Sequence, residues 1–222
     1  MICITGDTHG DISRLKSKEL RKLKKGDTLI ICGDFGFIWD GSDKEKRLLD
    51  WIGRRNYNVL FVEGTHDNLT LLAGYPQVDW QGGKTREVSG KLRQLCRGEI
   101  FEIEGKKIFA FGGGEADDEI IGNPNEEGGE LPSQQEIEHA RRNLEKAGFK
   151  VDYIITHRPS RKIQQFLMMN QNNTNVLDAF LDEVREKCEY TRWFFGSIHK
   201  NKRIPPNEMA LFTTVVDAQS DL

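Results

Sequence analysis

Five short apolar runs in this chain each end in a residue that can bind a metal or move a proton. Ile2-Cys3-Ile4-Thr5 leads into Gly6-Asp7-Thr8-His9, and Leu29-Ile30-Ile31-Cys32 leads into Gly33-Asp34. Leu60-Phe61-Val62 is followed by Glu63-Gly64-Thr65-His66-Asp67, Tyr153-Ile154-Ile155-Thr156 by His157, and Trp193-Phe194-Phe195 by Gly196-Ser197-Ile198-His199. One Gly-Asp after a strand is ordinary turn chemistry, and a lone histidine is usually a hydrogen-bonded side chain. The same coincidence at five strand ends points to a common purpose. Imidazoles and carboxylates meeting at one edge form a donor set that suits Mn, Fe, Zn or Ni. His139, by contrast, falls mid-helix away from the apolar stripe and reads as surface.

The runs that must carry these residues are short, flanked by turn residues and apolar throughout, as strands buried on both faces are. Amphipathic stretches alternate with them. Ile12, Leu15, Leu20 and Leu23 predict one helix, and Leu48, Leu49 and Ile52 a second. A third begins at Ser133, with Glu136 completing a capping box and Gly148 closing its C-terminus. Val176, Leu177, Phe180, Leu181 and Val184 mark a fourth. The middle, Val78 to Gly114, reads as consecutive strands with a hairpin at Glu104-Gly105, and Arg192 to Val216 as further hairpin-connected strands. Strand–helix alternation predicts a largely parallel sheet, and ligands of such sheets bind outside the carboxyl ends of the strands.

Composition agrees with one α/β domain over residues 1–222. The net charge is −3, from 32 basic and 35 acidic residues, which lacks the basic excess of a general nucleic-acid binder. The four cysteines, Cys3, Cys32, Cys96 and Cys188, have no paired spacing, which argues against a disulfide framework or a zinc ribbon. No apolar run reaches the roughly 18 residues of a membrane span, and the N-terminus lacks the pattern of a secretory signal. A cytoplasmic protein is expected. The segment from Gly112 to Pro132 has no periodicity and carries Glu115, Asp117, Asp118, Glu119, Glu126, Glu127 and Glu130. It reads as a solvated acidic loop, whose charge disfavours a polyanion and favours a small phosphorylated ligand. Phe35, Phe37 and Trp39, directly after Asp34, serve either to wall a pocket or to pack. Arg158 is a candidate phosphate contact through its forked donors, and the basic run Arg14 to Lys25 reads as a solvated face.

The order Asp-X-His, Gly-Asp, Gly-X-His-Asp, a later His, and Gly-X-X-His resembles the calcineurin-like metallophosphoesterases, from Asp7 to His199. The resemblance implies a four-layer α-β-β-α sandwich of two mixed β-sheets flanked by helices, with a two-metal site at the strand ends. It implies Asp7, His9 and His199 as ligands of a first ion, Asp34 as the carboxylate bridging two ions, and His157 as a ligand of the second. It implies His66 as the general acid that protonates the leaving oxygen, with Asp67 orienting it, in a metal-dependent hydrolysis of a phosphomonoester or phosphodiester by activated water. Manganese is the first expectation for the ion, with iron, nickel or zinc as alternatives. Two positions depart from the family pattern. Thr65 stands where an asparagine is usual, and Ser197 where a first histidine is usual in Gly-His-X-His. Both losses fall on the second ion. Either Thr65, Ser197 and water complete a weaker site, or a carboxylate of the acidic loop substitutes, or the protein holds one ion. The last case leaves a weakly active relative, or one that binds a phosphorylated ligand in a regulatory role.

Overall fold

The computed structural model describes residues 1–115, 129–167 and 175–220. Asp117, Asp118, Glu119, Glu126 and Glu127 of the expected acidic loop lie outside the described residues. The first half of the chain builds β1 (Ile2–Thr5), two single 3₁₀ turns (Arg14–Lys16 and Leu20–Lys22), β2 (Thr28–Cys32), α1 (Asp43–Gly53), β3 (Asn58–Val62), α2 (Leu69–Ala73), β4 (Gln77–Trp80), β5 (Gly83–Ser89) and β6 (Leu92–Leu95). The second half builds β7 (Glu99–Ile103), β8 (Lys106–Phe111), α3 (Gln134–Lys146), β9 (Lys150–Thr156), α4 (Arg161–Phe166), α5 (Val176–Lys187), β10 (Glu189–Phe195), β11 (Lys202–Ile204), β12 (Glu208–Ala210) and β13 (Val216–Asp217).

Two mixed sheets result. The first runs β13-β1-β2-β3-β6-β5-β4, with β1, β2, β3 and β6 parallel. The second runs β11-β12-β10-β9-β8-β7, with β12, β10, β9 and β8 parallel. Because strand side chains alternate, each apolar strand feeds two cores. Ile4, Ile30 and Leu60 face Ala110, Ile155 and Phe194 of the other sheet. Their neighbours Leu29, Ile31 and Phe61 pack outward on Leu49 and Ile52 of α1. Ile154, Trp193 and Phe195 pack outward on Ile137, Leu144, Phe180 and Leu181 of α3 and α5. This is the expected sandwich of two sheets between helical layers.

The local signals hold at most elements. Ser133 and Glu136 form the capping box of α3, and Gly148 follows its end at φ 66°. Glu104 and Gly105 turn the β7–β8 hairpin at φ 52° and 72°, the left-handed pair that matches strand twist. The first expected helix does not form. On a continuous helix Ile12, Leu15, Leu20 and Leu23 would share one arc of about 140°. The chain instead makes two separate turns, broken where Ser17 goes extended, and each buries its own leucine. The C-terminal piece is also more than hairpins. β12 lies parallel to β10, and β13 crosses to pair with β1 in the first sheet.

Candidate metal centre

The carboxyl ends of β1, β2 and β3 in one sheet meet those of β9 and β10 in the other, and all five chemistry-bearing loops leave from there. Asp7, Asp34 and His157 are buried, whereas His9, His66 and His199 are partly exposed above them. Donor atoms of Asp7, His9, Asp34 and His199 all lie within 4.8 Å of one another. Within that group His199 Nε2 stands 3.1 Å from Asp7 Oδ2, and His9 Nε2 stands 3.0 Å from His199 Nε2 and 3.8 Å from Asp34 Oδ2. His157 sits on the buried side, with Nδ1 3.5 Å from Asp7 Oδ1 and Nε2 3.7 Å from Asp34 Oδ1.

The backbone is bent to make this arrangement. His9, Asp34, Ser197 and His199 adopt φ of 46°, 42°, 56° and 48°, a conformation that costs a non-glycine residue about 1 kcal/mol or more. They are four of the seven non-glycine residues with positive φ among the described residues. Strain gathered at one edge is the mark of a working site. Two glycines make room for the carboxylates. A Cβ on Gly64 would lie 2.1 Å from Asp34 Oδ1, and one on Gly196 would lie 1.9 Å from Asp7 Oδ1.

The charges are those a cation would balance. Burial works against protonating His157, but the neighbouring Asp7 and Asp34 carboxylates and the Cys32 carbonyl push its pKa up to about 9. Burial lowers the pKa of His9 in spite of the same two carboxylates. Burial opposes ionisation of Asp34, yet His157 and the bonds from His66 hold its pKa below the usual range. Two buried carboxylates ringed by imidazoles form a nitrogen and oxygen donor set that fits a divalent transition ion. Ser197 adds a further sign. Its backbone N–H donates to Asp7 Oδ2 at 3.0 Å, while its buried hydroxyl has no hydrogen-bond partner among the described residues. An orphan hydroxyl beside Asp7 is suited to a cation or its water.

His66 is anchored by Asp34. Its backbone N–H donates to Oδ1 and its Nδ1 to Oδ2, both at 2.8 Å, with Thr65 Oγ1 3.2 Å from Nδ1. Asp67 does not orient this ring. Its carboxylate accepts the backbone N–H groups of Gly36 at 2.7 Å, Gly64 at 2.9 Å and Phe35 at 3.2 Å, which clamps the β2 and β3 loops together. Burial pushes its pKa up to about 6. Arg158 is buried, and it donates to the Glu115 carbonyl at 3.2 Å and Gln164 Oε1 at 3.4 Å.

Several expectations for flanking residues change. Phe35 and Phe37 are core residues, with Phe35 stacked on Phe61 at 4.3 Å, whereas Trp39 is exposed. His139 is not plain surface, because its Nε2 lies 2.8 Å from Glu99 Oε1. Arg14 is not part of a solvated face. Half-buried, it donates to the Asp7 carbonyl at 2.8 Å, to Thr5 Oγ1 at 3.0 Å and to the Phe212 carbonyl. The Phe212 ring in turn packs against His199 at 4.9 Å. Arg14 therefore braces two loops that carry donor atoms, and nothing in a run of mixed lysines and arginines marks it out.

No curated protein matches the chain. Among solved structures, it is similar to a protein of unknown function, AQ665, from Aquifex aeolicus, at 17% identity and a TM-score of 0.40 over 86% of this chain and 88% of the other. The profile of the calcineurin-like phosphoesterases matches residues 1–201, which contain every donor described above. The chain belongs to the calcineurin-like phosphoesterase family.

Proposed function

We propose that this protein is a single-domain, cytoplasmic metal-dependent phosphoesterase that hydrolyses a small phosphomonoester or phosphodiester. The observation that carries the reading is the convergence of donor atoms from Asp7, His9, Asp34 and His199 within 4.8 Å, beside an exposed His66. Those four residues would hold one divalent ion, manganese being the first choice for this mixed donor set. Asp34 and His157, helped by Thr65 and Ser197, would hold a second ion more weakly, because hydroxyls are poor ligands unless deprotonated. A bound divalent ion supplies Lewis acidity, lowering the pKa of a water and taking up charge on the phosphoryl oxygens.

The protein's own groups do the rest. Asp34 holds the Nδ1 proton of His66, so Nε2 is the nitrogen that exchanges a proton with the leaving oxygen. Asp67 fixes the loop on which His66 rides. Arg158, one residue beyond His157, is proposed to support the phosphate from its buried position. Thr65 and Ser197 sustain a second reading, in which the protein holds one ion and binds a phosphorylated ligand without efficient turnover.

His66-dependent turnover of the metal-loaded chain separates the two. After reconstitution with Mn²⁺ and removal of loosely held ion, the phosphoesterase reading expects at least one ion per chain and hydrolysis of p-nitrophenyl phosphate or its bis ester that His66→Ala removes. Tight metal binding without His66-dependent turnover would favour the binding-protein reading.

A further inference from the structure

One strand over from the His66 loop, a cleft of about 600 Å³ opens at the carboxyl end of β6, between α2 and α3. Its volume is that of a small-molecule site, and none of the proposed metal donors lines it. Its floor holds a buried amide with an unfilled valence. Gln94 is 5% exposed, and its Nε2 donates to Glu63 Oε2 at 2.6 Å, which fixes the orientation of the amide. Gln94 Oε1 is thereby left without a donor among the described residues. A buried acceptor left unmet costs free energy, and an occupant with a hydroxyl or amine would relieve it.

The wall decides the charge of that occupant. Each lining carboxylate already has a partner. Glu63 and Glu136 take Arg97, and Glu99 takes His139. The remaining cations are Lys84, Arg86 and Arg142. Among the described residues the Lys84 ammonium pairs only with the exposed Asp79, at 3.4 Å, and Arg86 donates to the carbonyls of Ala73 and Tyr75. Arg142 is exposed and has no ion-pair partner among the described residues. Carboxylates already paired on the floor, with a free Arg142, an Arg86 bound only to carbonyls and a solvent-exposed Lys84–Asp79 pair at the rim, favour an anion whose other end donates hydrogen bonds.

We propose that this cleft is a binding site for a small hydroxylated phosphate, of the sugar-phosphate or glycerol-phosphate class, separate from the metal centre. The phosphate meets Lys84, Arg86 and Arg142, and a hydroxyl donates to Gln94 Oε1. The site stands whether or not the metal centre hydrolyses phosphoesters, since no residue is shared between them.

The test is calorimetric titration of the manganese-loaded full chain with 3,4-dihydroxybutylphosphonate, whose carbon–phosphorus bond cannot be hydrolysed. One binding event is expected to survive His199→Ala and to weaken about tenfold or more in Arg142→Glu and in Lys84→Glu. The same event is expected to be several-fold weaker for methylphosphonate, which lacks the hydroxyls. The proposal is overturned if no saturable binding occurs up to about 10 mM, if all binding vanishes in His199→Ala, or if the two cleft variants bind as the parent does. Equal affinity for methylphosphonate would overturn the role given to Gln94.

Discussion

His66 leans on Asp34 through two bonds of 2.8 Å, one from its ring and one from its backbone. Asp34 thus sets the tautomer of the ring and the position of the loop at once. It does so while lying 3.8 Å from His9 Nε2 and 3.7 Å from His157 Nε2. A single carboxylate therefore connects the proposed proton donor to both halves of the donor cluster.

His66→Ala should leave metal content unchanged and lower phosphoester turnover by about 10²–10⁴-fold, the range of general acid–base catalysis. The loss should be larger for phenyl phosphate than for p-nitrophenyl phosphate, since a poorer leaving group needs its proton more. Steady-state rates on the two esters, with elemental analysis of the variant, check this. Equal losses on both would argue against proton donation by His66.

Thr65→Asn combined with Ser197→His should tighten the second ion and raise turnover. Ser197 already holds a left-handed backbone that His9 and His199 also adopt, so histidine is tolerated there. Metal titration of the double variant should show a second tight event that the parent lacks. An unchanged titration would mean that the hydroxyls are adequate ligands.

Removing Asp67 should cost stability. Asp67→Ala strands the buried backbone N–H groups of Phe35 and Gly64 and the partly buried one of Gly36, at about 1–3 kcal/mol each where water cannot reach them. A loss of about 3 kcal/mol or more is expected by denaturant unfolding, with Asp67→Asn closer to the parent. A stable Asp67→Ala protein would show that water takes over the clamp.

Arg14→Ala should weaken manganese affinity by about tenfold or more, as loss of outer-shell support commonly does. Arg14→Lys should fall between, because a single ammonium cannot span both the Asp7 and Phe212 carbonyls. Calorimetric titration of the chelator-treated chain measures this, and a melting curve separates it from general destabilisation. An unchanged affinity would reduce Arg14 to a structural brace.

Burial pushes the thiols of Cys3 and Cys188 up to about 11 and Cys96 up to about 12, and it holds Cys32 well above the ordinary thiol range. Only the thiolate reacts, and a raised pKa removes it, so reactivity should rise with pH and be negligible at about pH 8. Ellman's reagent should find four thiols in denaturant and none that react rapidly in the native chain. A fast native thiol at that pH would contradict the burial described.

The strands that lead to the site, the capped helix at Ser133 and the candidate donor residues were legible in the sequence because each rests on a local rule. Short apolar runs become buried strands, as at Ile2–Thr5 and at Tyr153 to Thr156, although the latter strand starts earlier, at Lys150. The Ser133–Glu136 box starts a helix whatever surrounds it. Asp7, His9, Asp34, His157 and His199 announced themselves by recurring at strand ends. What local rules cannot supply is which groups meet across the fold. Arg14 reaches Phe212, 198 positions away, and Asp67 closes on Gly36 rather than on its neighbour His66. Gln94 loses its donor only because β6 places it beside Glu63. A polar side chain takes the nearest unsatisfied partner in space, and only tertiary packing decides which partner that is.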